Sequence, residues 1–320
     1  MRERGRGGGA WMGMVWSLLF WSMIARMMVR VTRTVGQQEE ELSGGLRVGF
    51  YRHSCPAAES IVNSVGCDGS ILIENGPQSE RNAFGHQGVG GFEVIQQAKL
   101  RLEATCPGTV SCADIVALAA RDAVSLANGP KYEVPTGRRD GHVSNLSLAG
   151  DMPDVGDPIE LLKSKFSSRG LSDRDLVLLS AAHTIGTTAC FFMMDRLYNF
   201  FPGGGSDPSI QPGFLPELRA RCPKNGDVNT RIPIDEGSEQ IFDKQILQNI
   251  RHGFAVLQSD AKLNDDPVTR GVMDSYIGFL APIFGRSFEA DFVQAIVKMG
   301  QIGVRTGSSG EIRRVCSSFN

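Results

Sequence analysis

Apolar residues recur at helical spacing in separate stretches of the chain, and turn-forming residues divide these stretches. Residues 91–106 (GFEVIQQAKLRLEATC) have the pattern of an amphipathic helix. The capping-box spacing of Ser111 and Asp114 opens an apolar helix over 115–127, which a Gly-Pro pair ends. Further helices are predicted from Pro158 to Gly170, over 273–284 and over 287–299.

Another predicted helix, in the stretch 171–190 (LSDRDLVLLSAAHTIGTTAC), carries a histidine on an apolar face. The capping-box pair Ser172 and Asp175 marks its start, and His183 follows Leu176 by seven residues on the same face. A lone histidine on an apolar face is more often a core residue than a ligand. Here small neighbours leave room for a broad group against the ring, and imidazole is a common ligand of haem iron. His183 is therefore a candidate haem ligand.

Composition bounds the class of protein. The chain has 320 residues, 41% hydrophobic and 21% charged, with a net charge of -2, which suits one large domain or two lobes that share a ligand cleft. The lack of a basic excess argues against a nucleic-acid partner. Seven cysteines indicate disulfides formed in an oxidising compartment, and the odd number predicts one thiol without a partner in the chain.

The N-terminus has the pattern of an export signal. Three arginines among the first six residues precede an apolar run over 10–25, shorter than the roughly 20 residues that span a membrane. We expect a signal peptide over 1–25, cleaved after Ala25 or after Gly36, and a secreted protein with no membrane contact after its removal. Its location would be extracellular, in the cell wall or vacuolar. An uncleaved N-terminal anchor is the alternative.

Several motifs resemble those of the secretory plant haem peroxidases (class III). They are the His183 stretch, Ser-Cys-Pro at 54–56, VPTGRRD at 134–140 and MDRLYNF at 194–200. The resemblance runs over most of Leu46 to Cys316 and implies a domain over 46–320 with a mainly α, two-lobed helical fold and haem between the lobes. It also implies oxidation of small phenolic donors by hydrogen peroxide, with haem b and calcium as cofactors. Pro153 falls where the family has a substrate-channel proline.

The resemblance breaks at the junction of Val65 and Gly66. Family members carry there a long helix with a motif of the type Arg-x-x-Phe-His-Asp-Cys, whose arginine and histidine lie above the haem on the peroxide side. About two dozen residues, enough for most of a long helix, are missing from this chain. Neither His53 nor His86 matches the lost histidine. We therefore identify no catalytic residue on this distal side.

The resemblance implies an intact set of residues on the other, proximal side. His183 is the axial ligand of the haem iron, and Asp260 accepts the proton of its far ring nitrogen, which favours high-valent iron. A proximal calcium site would combine carboxylates, hydroxyls and a carbonyl. Its ligands are Thr184, Asp235, Ser238, Ile241 and Asp243. Without the resemblance, a capping or surface aspartate and a solvated loop are the plainer interpretations.

A second, distal calcium site is incomplete. Gly66, Asp68 and Ser70 match three of its ligands, and Glu80 matches a supporting carboxylate. The family's other two ligands fall in the missing stretch. Since calcium takes six to eight oxygens, this site lacks part of its shell.

The resemblance also implies how the cysteines pair. The pairs are Cys55 with Cys106, Cys112 with Cys316, and Cys190 with Cys222. Cys67 is left over, because its family partner ends the missing helix. The odd cysteine count and the missing motif thus have one cause.

Three functions remain open at this point. The favoured one is a secreted, monomeric peroxidase-family protein with weak or no turnover. The second is an ordinary peroxidase whose sequence, as given, lost an exon. The third is a secreted haem- or cell-wall-binding protein without catalysis. The natural donor cannot be read from the residues.

Overall fold

The structure is a computed structural model that describes residues 45–58, 69–279, 281 and 285–320. Leu46–Asn320 forms one compact unit, distinct from residues 1–45. The predicted signal peptide, the junction of Val65 with Gly66, and Asp68 lie outside the described residues.

The described chain is mainly helical, which confirms the predicted fold class. Its α-helices are α1 Phe92–Thr105, α2 Cys112–Leu126, α3 Ile159–Ser168, α4 Asp173–Ser180, α5 Met194–Tyr198, α6 Leu215–Arg221, α7 Gln245–Arg251, α8 Gln258–Lys262, α9 Pro267–Ile277 and α10 Phe288–Met299. Short 3₁₀ turns lie at Ser70–Leu72, Glu80–Asn82, Phe84–His86, Leu146–Asp151, Ala181–Thr184 and Cys190–Met193.

Two small antiparallel ribbons complete the described secondary structure. Strand β1 (Arg47–Val48) pairs with β2 (Pro135–Thr136), and β3 (Thr187–Ala189) pairs with β4 (Arg231–Pro233). The second ribbon begins three residues after Thr184, so it fixes the direction in which the chain leaves the histidine turn. No helix in the described part of the chain combines the length and apolar character that a bilayer crossing requires.

The helix α4 starts where its sequence predicts and ends earlier. Ser172 Oγ accepts from the amide of Asp175, and the Asp175 carboxylate accepts from the amide of Ser172, which completes the capping box. The α-helix ends at Ser180, and His183 lies in the following 3₁₀ turn. Residues at i and i+3 share a face in both helix types, so the apolar pattern cannot separate them.

One other predicted helix differs in its bounds. The helix expected over 273–284 begins instead at Pro267 and runs to Ile277. The Asp266 carboxylate caps this helix by accepting from the amides of Val268 and Thr269, with proline at the first helical position. This earlier start was readable from the Asp-Pro pair.

The helix α4 lies in the centre of the largest apolar core. Leu176, Val177 and Leu178 are almost fully buried there, together with Phe292 of α10 and Met273 of α9. Burial of such side chains contributes about 1.5–3 kcal/mol each. The segment that carries His183 is thus anchored on this core.

Three disulfides tie distant parts of the chain together. They are Cys55–Cys106, Cys112–Cys316 and Cys190–Cys222, with sequence separations of 51, 204 and 32 residues. These are the pairs that the resemblance implies. Each stabilises the fold by roughly 2–4 kcal/mol, mainly by restricting the unfolded chain. Cys67 lies outside the described residues.

Candidate functional site

The site is built around His183 and Asp260, which are 77 residues apart in sequence. Nδ1 of His183 lies 3.0 Å from both carboxylate oxygens of Asp260. A carboxylate only accepts, so Nδ1 carries the proton and Nε2 keeps its lone pair free. The His183 side chain is 39% exposed and that of Asp260 only 1%. A histidine oriented by a buried carboxylate in this way is prepared to bind a metal through Nε2.

Electrostatics at this pair favour a positive or metal-bound imidazole. Burial lowers the pKa of His183, and the charge and hydrogen bond of Asp260 raise it by more, so the net shift of the pKa is upward. The same carboxylate that stabilises a proton on the ring stabilises a metal cation bound there.

Arg196 fixes the backbone in front of Asp260. Its side chain is 1% exposed and forms an ion pair with Asp207, Nε to Oδ2 at 2.7 Å. Nη1 donates to the carbonyls of Ala255 and Val256, which are separated from α8 only by Leu257. The MDRLYNF motif is therefore a support for Asp260, a role that its sequence pattern did not reveal.

Five oxygen-bearing residues meet beside His183. Thr184 Oγ1 lies 2.9 Å from Asp235 Oδ2 and 3.4 Å from Asp243 Oδ1. Ser238 Oγ lies 2.9 Å from Asp235 Oδ2, and the carbonyl of Ile241 is 3.4 Å from Thr184 Oγ1. We call these five residues the oxygen cage. The structure thus brings together all the residues expected at a proximal calcium site.

The charge of the oxygen cage is not balanced by protein cations. No lysine or arginine within the described ranges forms an ion pair with Asp235 or Asp243. Burial raises the pKa of Asp235, and the nearby charge of Asp243 also raises it, against the hydrogen bonds from Asn249, Thr184 and Ser238. A hard divalent cation fits this set of hydroxyl, carboxylate and carbonyl oxygens.

Asn249 supports the oxygen cage from outside, and the sequence did not point to it. Its Nδ2 donates to Asp235 Oδ1 at 2.7 Å and to the carbonyl of Glu236 at 2.9 Å. Because this bond occupies Oδ1, the other oxygen of Asp235 is left facing Thr184. The fold, and not local spacing, brings α7 to this position.

The distal residues are only partly described. Ser70 is buried, and its 3₁₀ turn contacts the turn that begins at Glu80. The Glu80 amide donates to Ser144 Oγ at 3.1 Å, and its carbonyl accepts from His86 Nδ1 at 2.8 Å. Since Gly66 and Asp68 lie outside the described residues, the distal calcium set stays a prediction.

Pro153 lies in an exposed segment before α3. It is exposed, in the segment between Asp151 and α3, where Lys165 donates to the carbonyl of Met152. In the described ranges no hydrogen bond joins this segment to the Ala181–Thr184 turn. A substrate role for Pro153 stays a prediction.

An exposed aromatic cluster was not predicted from the sequence. The ring centroid of Phe84 lies 4.8 Å from that of Phe191 and 5.9 Å from that of Phe192, and Phe84 is 52% exposed. Arg231 of β4 donates to the carbonyl of Gly88, which ties the neighbouring His86 turn to the ribbon that follows Thr184. Aromatic rings open to solvent can stack on a planar molecule.

Comparison with known proteins gives a consistent result. The family model described as "Peroxidase" matches residues 24–278. The chain is similar to Peroxidase 43 of Arabidopsis thaliana, with 64% identity over 301 residues that cover 86% of this chain and 92% of the relative.

Two further relatives agree. Peroxidase 13 of Arabidopsis thaliana is 51% identical over 303 residues, which cover 86% of this chain and 93% of the relative. Peroxidase N1 of Nicotiana tabacum is 45% identical over 324 residues, which cover 93% and 96%. These proteins span nearly the whole of the chain, so the similarity is not confined to one motif.

Proposed function

The chain belongs to the plant secretory (class III) peroxidase family, and from that premise we propose that it binds haem through His183 but reacts slowly with hydrogen peroxide. The haem would lie against a domain over 46–320 from which the distal segment at 65/66 is missing. The observation that carries the proposal is the pairing of Asp260 with Nδ1 of His183, which leaves Nε2 free.

The residues present fit a haem group on the proximal side. His183 is oriented by a buried carboxylate, its ring is partly exposed, and Ala182 beside it is small. Haem iron, when bound, supplies the redox centre at which peroxide is reduced and a donor is oxidised. Asp260 would hold the imidazole in one tautomer and one orientation, and would increase the electron density at Nε2.

The oxygen cage would hold one calcium ion. Thr184 belongs to the cage and is covalently next to His183, so a bound cation would restrict the turn that carries the histidine. A cation bound there would therefore help to position the haem ligand His183. The distal ion would be absent or weakly held, since only part of its ligand set is present in the sequence.

Slow reaction with peroxide would follow from the missing segment. Cleavage of the peroxide bond needs a base that takes the proton from one oxygen and returns it to the departing one, and a cation that stabilises the developing charge. Positioned acid–base catalysis contributes typically 10²–10⁴-fold in rate, and charge stabilisation adds to that. The proximal residues would do neither, because His183 and Asp260 would be engaged in holding the haem.

Alignment lengths support a gap of the expected size. The match to Peroxidase 43 runs over 301 positions but takes in 86% of the 320 residues of this chain, about 275, which leaves about 26 positions without a residue here. The match to Peroxidase N1, 324 positions against 93% of the chain, leaves the same difference of about 26. The place of the gap, between Val65 and Gly66, is inferred from the motifs.

Small phenols are the proposed donors. The exposed cluster of Phe84, Phe191 and Phe192 offers rings on which a phenol can stack. Secretion to the extracellular space, the cell wall or the vacuole is proposed from the family, from the three disulfides and from the N-terminal pattern. A monomer is proposed because no residue of the site has to come from a second copy.

The iron ligand is tested with the mature chain and haem. We expect titration with haem to give a Soret spectrum of histidine-ligated iron that is lost in His183→Ala and kept in His252→Ala. His252 is the matched control, an exposed histidine whose Nδ1 bonds to the carbonyl of Gln248. Unchanged ligation in His183→Ala would overturn the assignment. Peroxide consumption per bound haem then separates the slow peroxidase from an active one.

A further inference from the structure

A cavity that His183 and Asp260 do not line lies between α2 and the C-terminal part of the chain. It has a volume of about 100 Å³. Ala113, Ala117 and Ala120 form its floor along one face of α2, and Ile296 and Met299 of α10 lie opposite. The three small side chains leave the space open. A cavity needs only about 15 Å³ to hold one water, and an apolar cavity of about 150 Å³ is known to bind benzene.

Two arginines also line this cavity and lie directly opposite each other. Arg139 and Arg305 are partners in an isolated antiparallel bridge, in which the Arg139 amide donates to the Arg305 carbonyl at 2.8 Å. Opposed residues of an antiparallel pair project their side chains to the same side. Arg305 is exposed and Arg139 half-buried, so both guanidinium groups lie where the cavity meets solvent.

The charges of these two arginines are not compensated. Neither forms an ion pair with any residue that the structure describes, whereas the third arginine of the cavity, Arg138, pairs with Asp114 at 2.8 Å. Like charges at directly opposed positions destabilise a strand pair. An anion that bridges the two would relieve this repulsion.

The neighbouring acidic residues are engaged elsewhere. The Asp140 carboxylate accepts from the backbone amides of Cys112 and Ala113 at the start of α2, and from that of Arg313. Glu311 Oε2 accepts from the amide of Asn320 at 3.3 Å, and its Oε1 lies 3.8 Å from the charged groups of His142 and Arg313. The only hydrogen bond found for the Arg139 guanidinium in the described chain runs from Nε to the Gly310 carbonyl, at 3.1 Å. Its two terminal nitrogens are left for a ligand.

We propose that this cavity binds a small aromatic carboxylate, with its ring between α2 and α10 and its carboxylate on Arg139 and Arg305. The planar fork of arginine matches the two oxygens of a carboxylate. An apolar pocket with a few converging polar groups is the usual form of a small-molecule site. The ligand class follows from these two parts, because an inorganic anion would leave the apolar space empty and a neutral ring would leave the arginines unpaired.

The test is calorimetric titration of the full chain with benzoate, beside acetate and benzyl alcohol. We expect benzoate to bind at least tenfold more tightly than either, since acetate lacks the ring and benzyl alcohol the charge. Arg305→Ala should weaken benzoate binding at least tenfold. Arg101→Ala, which removes an exposed arginine of α1 outside the cavity, should leave it unchanged. Equal affinities for benzoate and acetate, or equal effects of the two variants, would overturn the proposal.

A filling variant tests the position of the ring. Ala120→Leu places a larger apolar side chain in the cavity without touching the arginines, and should abolish benzoate binding while the thermal midpoint is kept or raised. Benzoate binding that persists at full strength in this variant would place the ligand elsewhere. Because benzoate could also bind near haem, each titration is repeated with haem-loaded and haem-free protein. The same affinity in both is the expected result, and binding that requires haem contradicts the proposal.

Discussion

Arg196 donates a hydrogen bond to the carbonyl oxygen of Val256 over 2.5 Å, four residues before Asp260. A buried guanidinium in α5 thereby fixes the start of the helix that presents the carboxylate to His183. The ion pair with Asp207 holds the guanidinium in turn. The geometry behind the candidate iron ligand therefore depends on a chain of three contacts that runs through the MDRLYNF segment.

Arg196→Lys should loosen this support. Lysine keeps the charge but loses the planar fork that reaches both Asp207 and the two carbonyls. Disrupting a buried pair costs about 3–5 kcal/mol when one charge is left unpaired, and we expect a smaller loss for lysine. Haem affinity should fall by about 10–100-fold, as for other residues that orient a metal ligand. Parallel haem titrations of Arg196→Lys and of Arg219→Lys, at a partly buried arginine of α6, measure this. Equal haem affinities in the two variants would show that Arg196 does not support the haem site.

The lowered pKa of Asp207 makes the stability of the fold depend on pH. Burial raises the pKa of Asp207, but the hydrogen bonds from Arg196 and Ser209 lower it by more, so its folded pKa lies below the ordinary value of 3.8. Burial lowers the pKa of Arg196 from its ordinary value, yet arginine remains charged throughout. A depressed folded pKa stabilises the protein above the unfolded pKa, and this stability is lost as the pH falls through the folded pKa. Below about pH 4, the free energy of unfolding of Asp207→Asn should thus depend less on pH than that of the parent. If the free energy of unfolding falls equally steeply with pH in both proteins, other carboxylates cause the acid sensitivity.

The oxygen cage predicts one firmly bound calcium ion per chain. Metal analysis after mild chelation should find about one ion rather than two, since the sequence predicts an incomplete distal set. Saturating calcium at a hundred times its dissociation constant should stabilise the fold by about 2.7 kcal/mol. Asp243→Asn should remove most of that gain. Asp227→Asn, the same change at an exposed position outside the cage, should keep it. Two ions retained after chelation would show that the distal site is complete.

Cys67 is predicted to be the one unpaired thiol. The other six cysteines form three disulfides within the described residues, so none of them is left to pair with Cys67. Peptide mapping without reduction should find Cys67 alkylated or linked to a second chain. Cys67→Ser should then remove any covalent dimer without lowering the thermal midpoint. An intrachain disulfide at Cys67 would mean that one of the three pairs is exchanged in solution.

Local sequence patterns revealed the parts of the site that depend on neighbouring residues. The capping box at Ser172, the helical face that leads to His183 and the position of Thr184 beside it can all be read from spacing. The resemblance to the family supplied Asp260 and the members of the oxygen cage other than Thr184. The donation from Asn249 to Asp235 and the reach of Arg196 to Val256 join separate segments. The periodicity of apolar residues does not reveal such contacts, because they depend on how the helices pack.

The earlier end of α4 has a similar reason. The period of apolar residues continues to His183, but one turn of 3₁₀ helix places residues on the same face as an α-helix does. The exit is set by Gly186, whose φ of 98° lies in the left-handed region that glycine adopts without strain. That glycine turns the chain from the histidine into β3. The sequence pattern points to His183 but does not reveal the 3₁₀ turn that presents it.

The junction of Val65 and Gly66 can be checked directly in the transcript. The account predicts that the codons for these two residues are adjacent in the mature message. A message with about two dozen further codons there, encoding a helix with the distal arginine and histidine, would identify an ordinary peroxidase. That outcome would leave the assignments of His183 and Asp260 unchanged and remove the reason for slow turnover.

The most direct test of the central claim restores the missing segment. The corresponding residues of Peroxidase 43 are inserted between Val65 and Gly66, and a glycine–serine linker of equal length is inserted in a control. Stopped-flow mixing with hydrogen peroxide then gives the rate of the haem absorbance change per bound haem for all three proteins. We predict that the parent chain and the linker control react slowly, and that the restored chain reacts at least about 10²-fold faster. Equal rates in the parent and the restored chain would contradict the account.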